Sequence, residues 1–156
     1  MVSRICGILI LVVACVTGAV AQDSPIRWRT IVKMTSPDEG TITVKALVGQ
    51  GWHLYGTDLP KGGPKPTSFD FSGTTGIELI GAPVPSSKPV VKEDRQFGSR
   101  LSQWEQNVNF VQKFRLKKNV SERIVRLSIQ YMGCNDATCL PPRTENFSAK
   151  VPDYKK

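Results

Sequence analysis

The sequence contains a single histidine, His53, in 156 residues. That excludes a three-histidine zinc site and any metal clamp built on paired histidines. No stretch carries a helical repeat of apolar residues, which argues against a bundle or a βαβ fold. There is no glycine-rich phosphate loop, and no Ser/His/Asp set has a spacing that supports nucleophilic catalysis. Nor is there a basic stripe interleaved with aromatics. Aromatic residues make up only 8% of the chain, and its 21 Lys and Arg are scattered apart from Lys117-Lys118 and Lys155-Lys156. The formal charge of +8 therefore reads as a solvated surface, and no nucleic-acid partner is expected. With 40% hydrophobic and 22% charged residues, the chain has the balance of a globular protein with room for one core.

Four cysteines are present, but two fall in the first segment. Residues 1–21 read as a secretory signal peptide: Arg4, an apolar run from Ile5 to Val16, then Ala19-Val20-Ala21 ahead of cleavage at Gln22. The run is short for a membrane anchor. Val12-Val13-Ala14-Cys15 offers an alternative, a lipoprotein box in which Cys15 is lipidated. Removal of the segment takes away Cys6 and Cys15. A single domain, residues 22–156, then carries Cys134 and Cys139 into a compartment where disulfides persist.

The domain reads as all-β. Ile26–Val32 and Thr41–Val48 alternate with a period near two around Pro37-Asp38-Glu39-Gly40, which predicts a hairpin. Val108, Phe110, Gln112, Phe114 and Leu116 share one face of a strand, and Val125, Leu127, Ile129 and Tyr131 share one face of the next. Gly51–Tyr55, Thr67–Phe71, Ile77–Ile80 and Phe147–Val151 complete about eight short strands, the pattern of an immunoglobulin-like β-sandwich. The Pro-rich stretches Pro60–Pro66 and Gly81–Pro89 are predicted as loops.

Cys134 and Cys139 are separated by Asn135-Asp136-Ala137-Thr138 and followed by Leu140-Pro141-Pro142. That places them across a tight turn at a strand end. A disulfide closing so short a loop contributes only about 2 kcal/mol. A redox role suits the spacing, because one thiolate can resolve a mixed disulfide formed by its neighbour. Spacing alone leaves a structural and a redox pair equally open.

The segment Gly133-Cys134-x-Asp136-Ala137…Cys139-x-Pro141-Pro142 resembles the active-site hairpin of the N-terminal periplasmic domain of the bacterial thiol:disulfide interchange protein DsbD family. Gly51-Trp52-His53-Leu54-Tyr55 is similar to that family's aromatic segment, and Glu93-Asp94-Arg95-Gln96-Phe97-Gly98 to its cap loop. The resemblance implies an immunoglobulin-like domain that exchanges disulfides. Cys139 would form the mixed disulfide with a partner, and Cys134 would resolve it. Asp94 and Asp136 would hold the thiol form, with Asp94 either relaying a proton or standing as an ordinary loop carboxylate, and Phe97 and Tyr55 would either cover the sulfurs or pack as core residues. Arg143, if it reaches the site, would favour the thiolate. His53 is expected on a face turned away from Tyr55, in a structural role.

The resemblance also implies thioredoxin-like periplasmic partners, a membrane-embedded thiol reductase as electron donor, a monomer and no cofactor. Three departures stand out. The cysteines are one residue closer than in a familiar member, Gln96 stands where a capping aromatic is expected, and the chain ends at Lys156 where the family's long members continue. It is therefore read as free-standing. Two other readings compete: an exported binding module with a structural disulfide, its Trp28, Trp52 and Trp104 in the core or facing a ligand, and a Cu(I) site on Cys134, Cys139 and Met132.

Overall fold

The computed structural model describes residues 24–155. The predicted signal segment and its alternative, the lipoprotein box, lie with Cys6 and Cys15 outside the described residues. Among the described residues, no helix is long and apolar enough to cross a membrane.

The predicted hairpin is present as β1 (Ile26–Met34) and β2 (Glu39–Val48), with Ile26 opposite Val48 and Met34 opposite Gly40. Further along come β3 (His53–Tyr55), β4 (Ser68–Asp70), β5 (Ile77–Pro85), β6 (Val90–Asp94), β7 (Ser99–Trp104), β8 (Val108–Leu116), β9 (Ile124–Tyr131), β10 (Gly133–Cys134) and β11 (Arg143–Lys150). They form three antiparallel sheets, ordered β1-β2-β8-β5, β10-β3-β7-β6 and β11-β9-β4. Because β9 runs almost directly into β10, the second and third sheets continue one into the other. Together they face the first sheet across one core.

Alternation accounts for that core. Ile42, Val44 and Ala46 of β2 point inward with Val108, Phe110 and Phe114 of β8. Val125, Leu127, Ile129 and Tyr131 of β9 meet them from the opposite layer. Trp28, Phe69 and Trp104 gather around Phe110, so two of the three tryptophans serve packing. The architecture is an all-β, immunoglobulin-like sandwich, as the strand pattern implied.

Two segments differ from expectation. Gly81–Pro89 is not wholly a loop, because β5 continues to Pro85 through a register shift between Ile80 and Val84. Gly81 takes φ 68° there, a conformation glycine adopts without strain. The shift leaves carbonyls without ladder partners. Buried Gln112 of β8 supplies them: its Nε2 donates to Ile80 O (3.1 Å) and Gly81 O (3.2 Å). The second difference is the hairpin of β6 and β7, whose strands were not predicted and of which only Glu93–Gly98 was read, as a cap loop. Val90 to Glu93 are all exposed, so β6 has no buried face to give an alternating signal.

Candidate functional site

The cysteine pair sits at the edge of the β10-β3-β7-β6 sheet, where Cys134 is opposite His53 and Gly133 opposite Leu54. Residues 135–138 make the predicted tight turn. Asn135 N donates to Thr138 O (2.9 Å), and Asn135 Oδ1 accepts from Ala137 N (2.9 Å) and Thr138 N (2.8 Å). The side chain of Asn135 thus satisfies the backbone of its own turn. Cys134 and Cys139 face each other across it and are joined in a disulfide, with Cα atoms 4.0 Å apart.

Close approach to the core fixes the position of Cys134. A Cβ on the preceding Gly133 would fall on Ile26 Cδ1 and lie 2.8 Å from His53 O. Gly133→Ala is therefore expected to cost about 1–3 kcal/mol of stability, the range for overpacking a filled site. Urea unfolding of the variant measures it.

The two sulfurs are unequally placed. Cys134 is 1% exposed and belongs to a small buried cluster with Tyr55 and Leu101. Cys139 is half-buried at its margin, as are Phe97 and Met132. Phe97 meets the Tyr55 ring edge-on at 5.9 Å between centroids. The two rings thus lie in the same cluster as Cys134.

The Tyr55 hydroxyl sits between two acceptors, Asp94 Oδ2 at 2.6 Å and Cys134 Sγ at 3.1 Å. Burial pushes the phenol far above its ordinary range. The hydrogen bond and the charge of Asp94 push it further the same way. Tyr55 is therefore a permanent donor, and its single proton goes to the nearer carboxylate while the disulfide is intact. Asp94 is itself buried. Its other oxygen, Oδ1, accepts from Gln96 N (2.9 Å) and Phe97 N (3.0 Å) and shapes the 95–98 turn.

The structure corrects the expectation for His53. Residues two apart on a strand share a face, and His53 lies against Tyr55 with ring centroids 5.0 Å apart. Its Nε2 is buried, without a hydrogen bond, 3.9 Å from Asp94 Oδ2. Burial lowers its pKa and outweighs the opposing pull of Asp94, which keeps the ring neutral near pH 7. Period-two spacing alone was enough to place it in the site.

Gln96 is the residue whose contact had no sequence signal. Its Nε2 donates to Asn135 O (3.1 Å), and its Oε1 lies 2.9 Å from Cys139 Sγ. A polar amide thus spans the turn at the position where the resemblance led us to expect an aromatic cap. Asp136 is exposed and makes no side-chain hydrogen bond among the described residues. It lines a polar cleft of about 310 Å³ with Glu93, Asp94, Arg95, Gln96 and Asn135. Arg143 begins β11 opposite Tyr131 and is exposed, with no hydrogen bond to the sulfurs or Asp94.

The arrangement suits thiol–disulfide chemistry: one half-buried sulfur, one sheltered sulfur, and a hydroxyl within hydrogen-bond reach of the sheltered one. No curated protein matches the chain. Among solved structures it is similar to the Neisseria meningitidis DsbD N-terminal domain in its reduced form, at 20% identity and a TM-score of 0.48, covering 80% of this chain and 90% of that one. It is also similar to the complex of the DsbD and PilB N-terminal domains from the same organism, at 17% identity, 82% and 89% coverage and a TM-score of 0.48. A third similarity is to the yeast GGA1 GAE domain, at 9% identity, 85% and 96% coverage and a TM-score of 0.48. The profile of the family described as "Thiol:disulfide interchange protein DsbD, N-terminal" matches residues 24–150. That match spans all three sheets and both cysteines, and the chain belongs to this family.

Proposed function

We propose that this chain is a periplasmic thiol–disulfide exchange domain. In this reading it passes electrons from a membrane-embedded thiol reductase to thioredoxin-like proteins through Cys134 and Cys139. The family is a component of the thiol:disulfide interchange system, and DsbD N-terminal domains are periplasmic. The observation that carries the reading for this chain is the asymmetry of the pair: Cys139 half-buried at the margin, Cys134 fully buried against the Tyr55 hydroxyl.

The steps follow from that asymmetry. A thiolate of the donor attacks Cys139 Sγ, the accessible sulfur. The Cys134–Cys139 bond breaks, its electron pair goes to Cys134 Sγ, and a mixed disulfide joins Cys139 to the donor. The new Cys134 thiolate competes with Asp94 for the Tyr55 proton, and the hydroxyl stabilises it by a charge-assisted hydrogen bond. The donor's second thiolate then attacks its own sulfur in the mixed disulfide and releases Cys139. Two protons from solvent complete the dithiol. Delivery to an oxidised partner runs the same steps in reverse, with Cys139 attacking and Cys134 resolving.

The test uses the reduced protein and an oxidised thioredoxin-like protein, quenched in acid and alkylated so that each free thiol adds mass. The disulfide is expected to move to Cys134–Cys139 while the partner becomes a dithiol. Failure to transfer with every such protein tried would leave a purely structural bridge.

A further inference from the structure

We propose that Gln96 is a positioning residue for Cys139: its side-chain oxygen accepts a hydrogen bond from the Cys139 thiol and biases the pair toward the protonated, reduced state. The inference rests on the exchange reading above and names what tunes it.

The amide has one orientation that fits. Nε2 faces the carbonyl of Asn135 at 3.1 Å, so a flipped amide would set oxygen against oxygen. Oε1 is therefore the atom 2.9 Å from Cys139 Sγ. The cap is anchored at its other end too, because Gln96 N donates to Asp94 Oδ1. What Oε1 gains depends on the state of the sulfur. A disulfide sulfur has no proton to give, and a thiolate meets the oxygen lone pairs with like charge. Only the thiol completes the hydrogen bond. The amide therefore favours the thiol over both the disulfide and the thiolate.

The chemistry balances with glutathione as reductant: two glutathione thiols become one glutathione disulfide, and the protein disulfide takes up two electrons and two protons. Other charged or titratable groups line the clefts beside the cysteine hairpin or touch Cys134. They are Asp136 on its own turn, Lys92, Glu93, Asp94 and Arg95 on the β6–β7 hairpin, Glu105 just after it, and His53 and Tyr55 on β3. All are kept in the variants below, so a difference from the parent protein isolates the amide.

The experiment compares the full protein with Gln96→Leu and Gln96→Glu. It reads two quantities: the equilibrium with glutathione, and the rate of Cys139 alkylation against pH, located by peptide mass. Gln96→Leu keeps the bulk of the cover and removes the acceptor. Its equilibrium constant for reduction is expected to fall by about threefold to tenfold, the size of one hydrogen bond. Its alkylation midpoint should move to lower pH. Gln96→Glu keeps an acceptor and adds charge while giving up the donor to Asn135 O, and its midpoint should move to higher pH. A Gln96→Leu protein with an unchanged equilibrium and midpoint overturns the proposal. So does one alkylated faster by the same factor at every pH, which is the behaviour of a mere cover. Neither reading uses a partner protein. If disulfide transfer to thioredoxin-like proteins persists while these shifts are absent, the tuning fails and the exchange reading stands. If the shifts appear without transfer, the reverse holds.

Discussion

Substituting Cys139 by Ser is expected to reduce disulfide transfer to background, whereas Cys134→Ser should stop turnover but trap the partner. The difference follows from burial. Cys139 lies half-buried at the edge of its cluster, and Cys134 is 1% exposed beneath Tyr55. An incoming disulfide can therefore meet only the first. With Cys139 removed, the remaining thiol is sheltered by Tyr55 and Leu101, and attack on it requires that cluster to open. With Cys134 removed, Cys139 still attacks, but nothing resolves the product, and a mixed disulfide accumulates. Non-reducing gels and intact mass distinguish the two. Trapping by Cys139→Ser and not by Cys134→Ser would reverse the assigned roles.

The second large effect is on stability. Phe110→Ala should destabilise the fold by about 3–5 kcal/mol, the range for emptying a buried aromatic site. Phe110 is 1% exposed, and its ring centroid lies 4.7 Å from Phe69, 5.1 Å from Trp104 and 6.3 Å from Trp28. It therefore touches strands from all three sheets, and no neighbour can collapse fully into the space. Phe110→Leu keeps most of the volume and should cost about 1.5 kcal/mol or less. Urea melts of the two variants measure both values. A loss below about 1.5 kcal/mol for Phe110→Ala would show that the core relaxes around the gap, and the ring would not be the centre of the sandwich. By comparison, reducing the hairpin disulfide should cost about 2 kcal/mol at most. A core that outweighs its disulfide leaves the sulfurs free to cycle without unfolding the domain.

The sequence revealed the strands with one buried face and little of the strands without one. Alternation in Thr41–Val48, Val108–Leu116 and Val125–Tyr131 marked β2, β8 and β9, because each buries every second residue. β6 gave no such signal with four exposed residues in five. In β5, glycine and proline read as breaks, yet the ladder resumes past Gly81 because Gln112 takes up the freed carbonyls. The cysteine hairpin was legible because its turn chemistry is local. His53 was misplaced, although strand period put it beside Tyr55. Gln96 was noticed as the wrong residue for an aromatic cap. Its contact with Cys139 was out of reach, because a separation of 43 residues closes only once the sheet has formed.

The turn from Asn135 to Thr138 also bears on how the domain is made. Four intervening residues keep the two sulfurs near one another even in the unfolded chain, since so short a loop closes at little entropic cost. The bond can therefore form before any sheet exists. The rest of the site comes from His53, Tyr55, Asp94 and Gln96, which converge only when β3, β6 and β7 are in place. Oxidation and foldedness are thus separate variables in this domain. A newly made chain can carry the Cys134–Cys139 bond and still be unfolded, and the buried Tyr55, not the thiol count, tells the two apart.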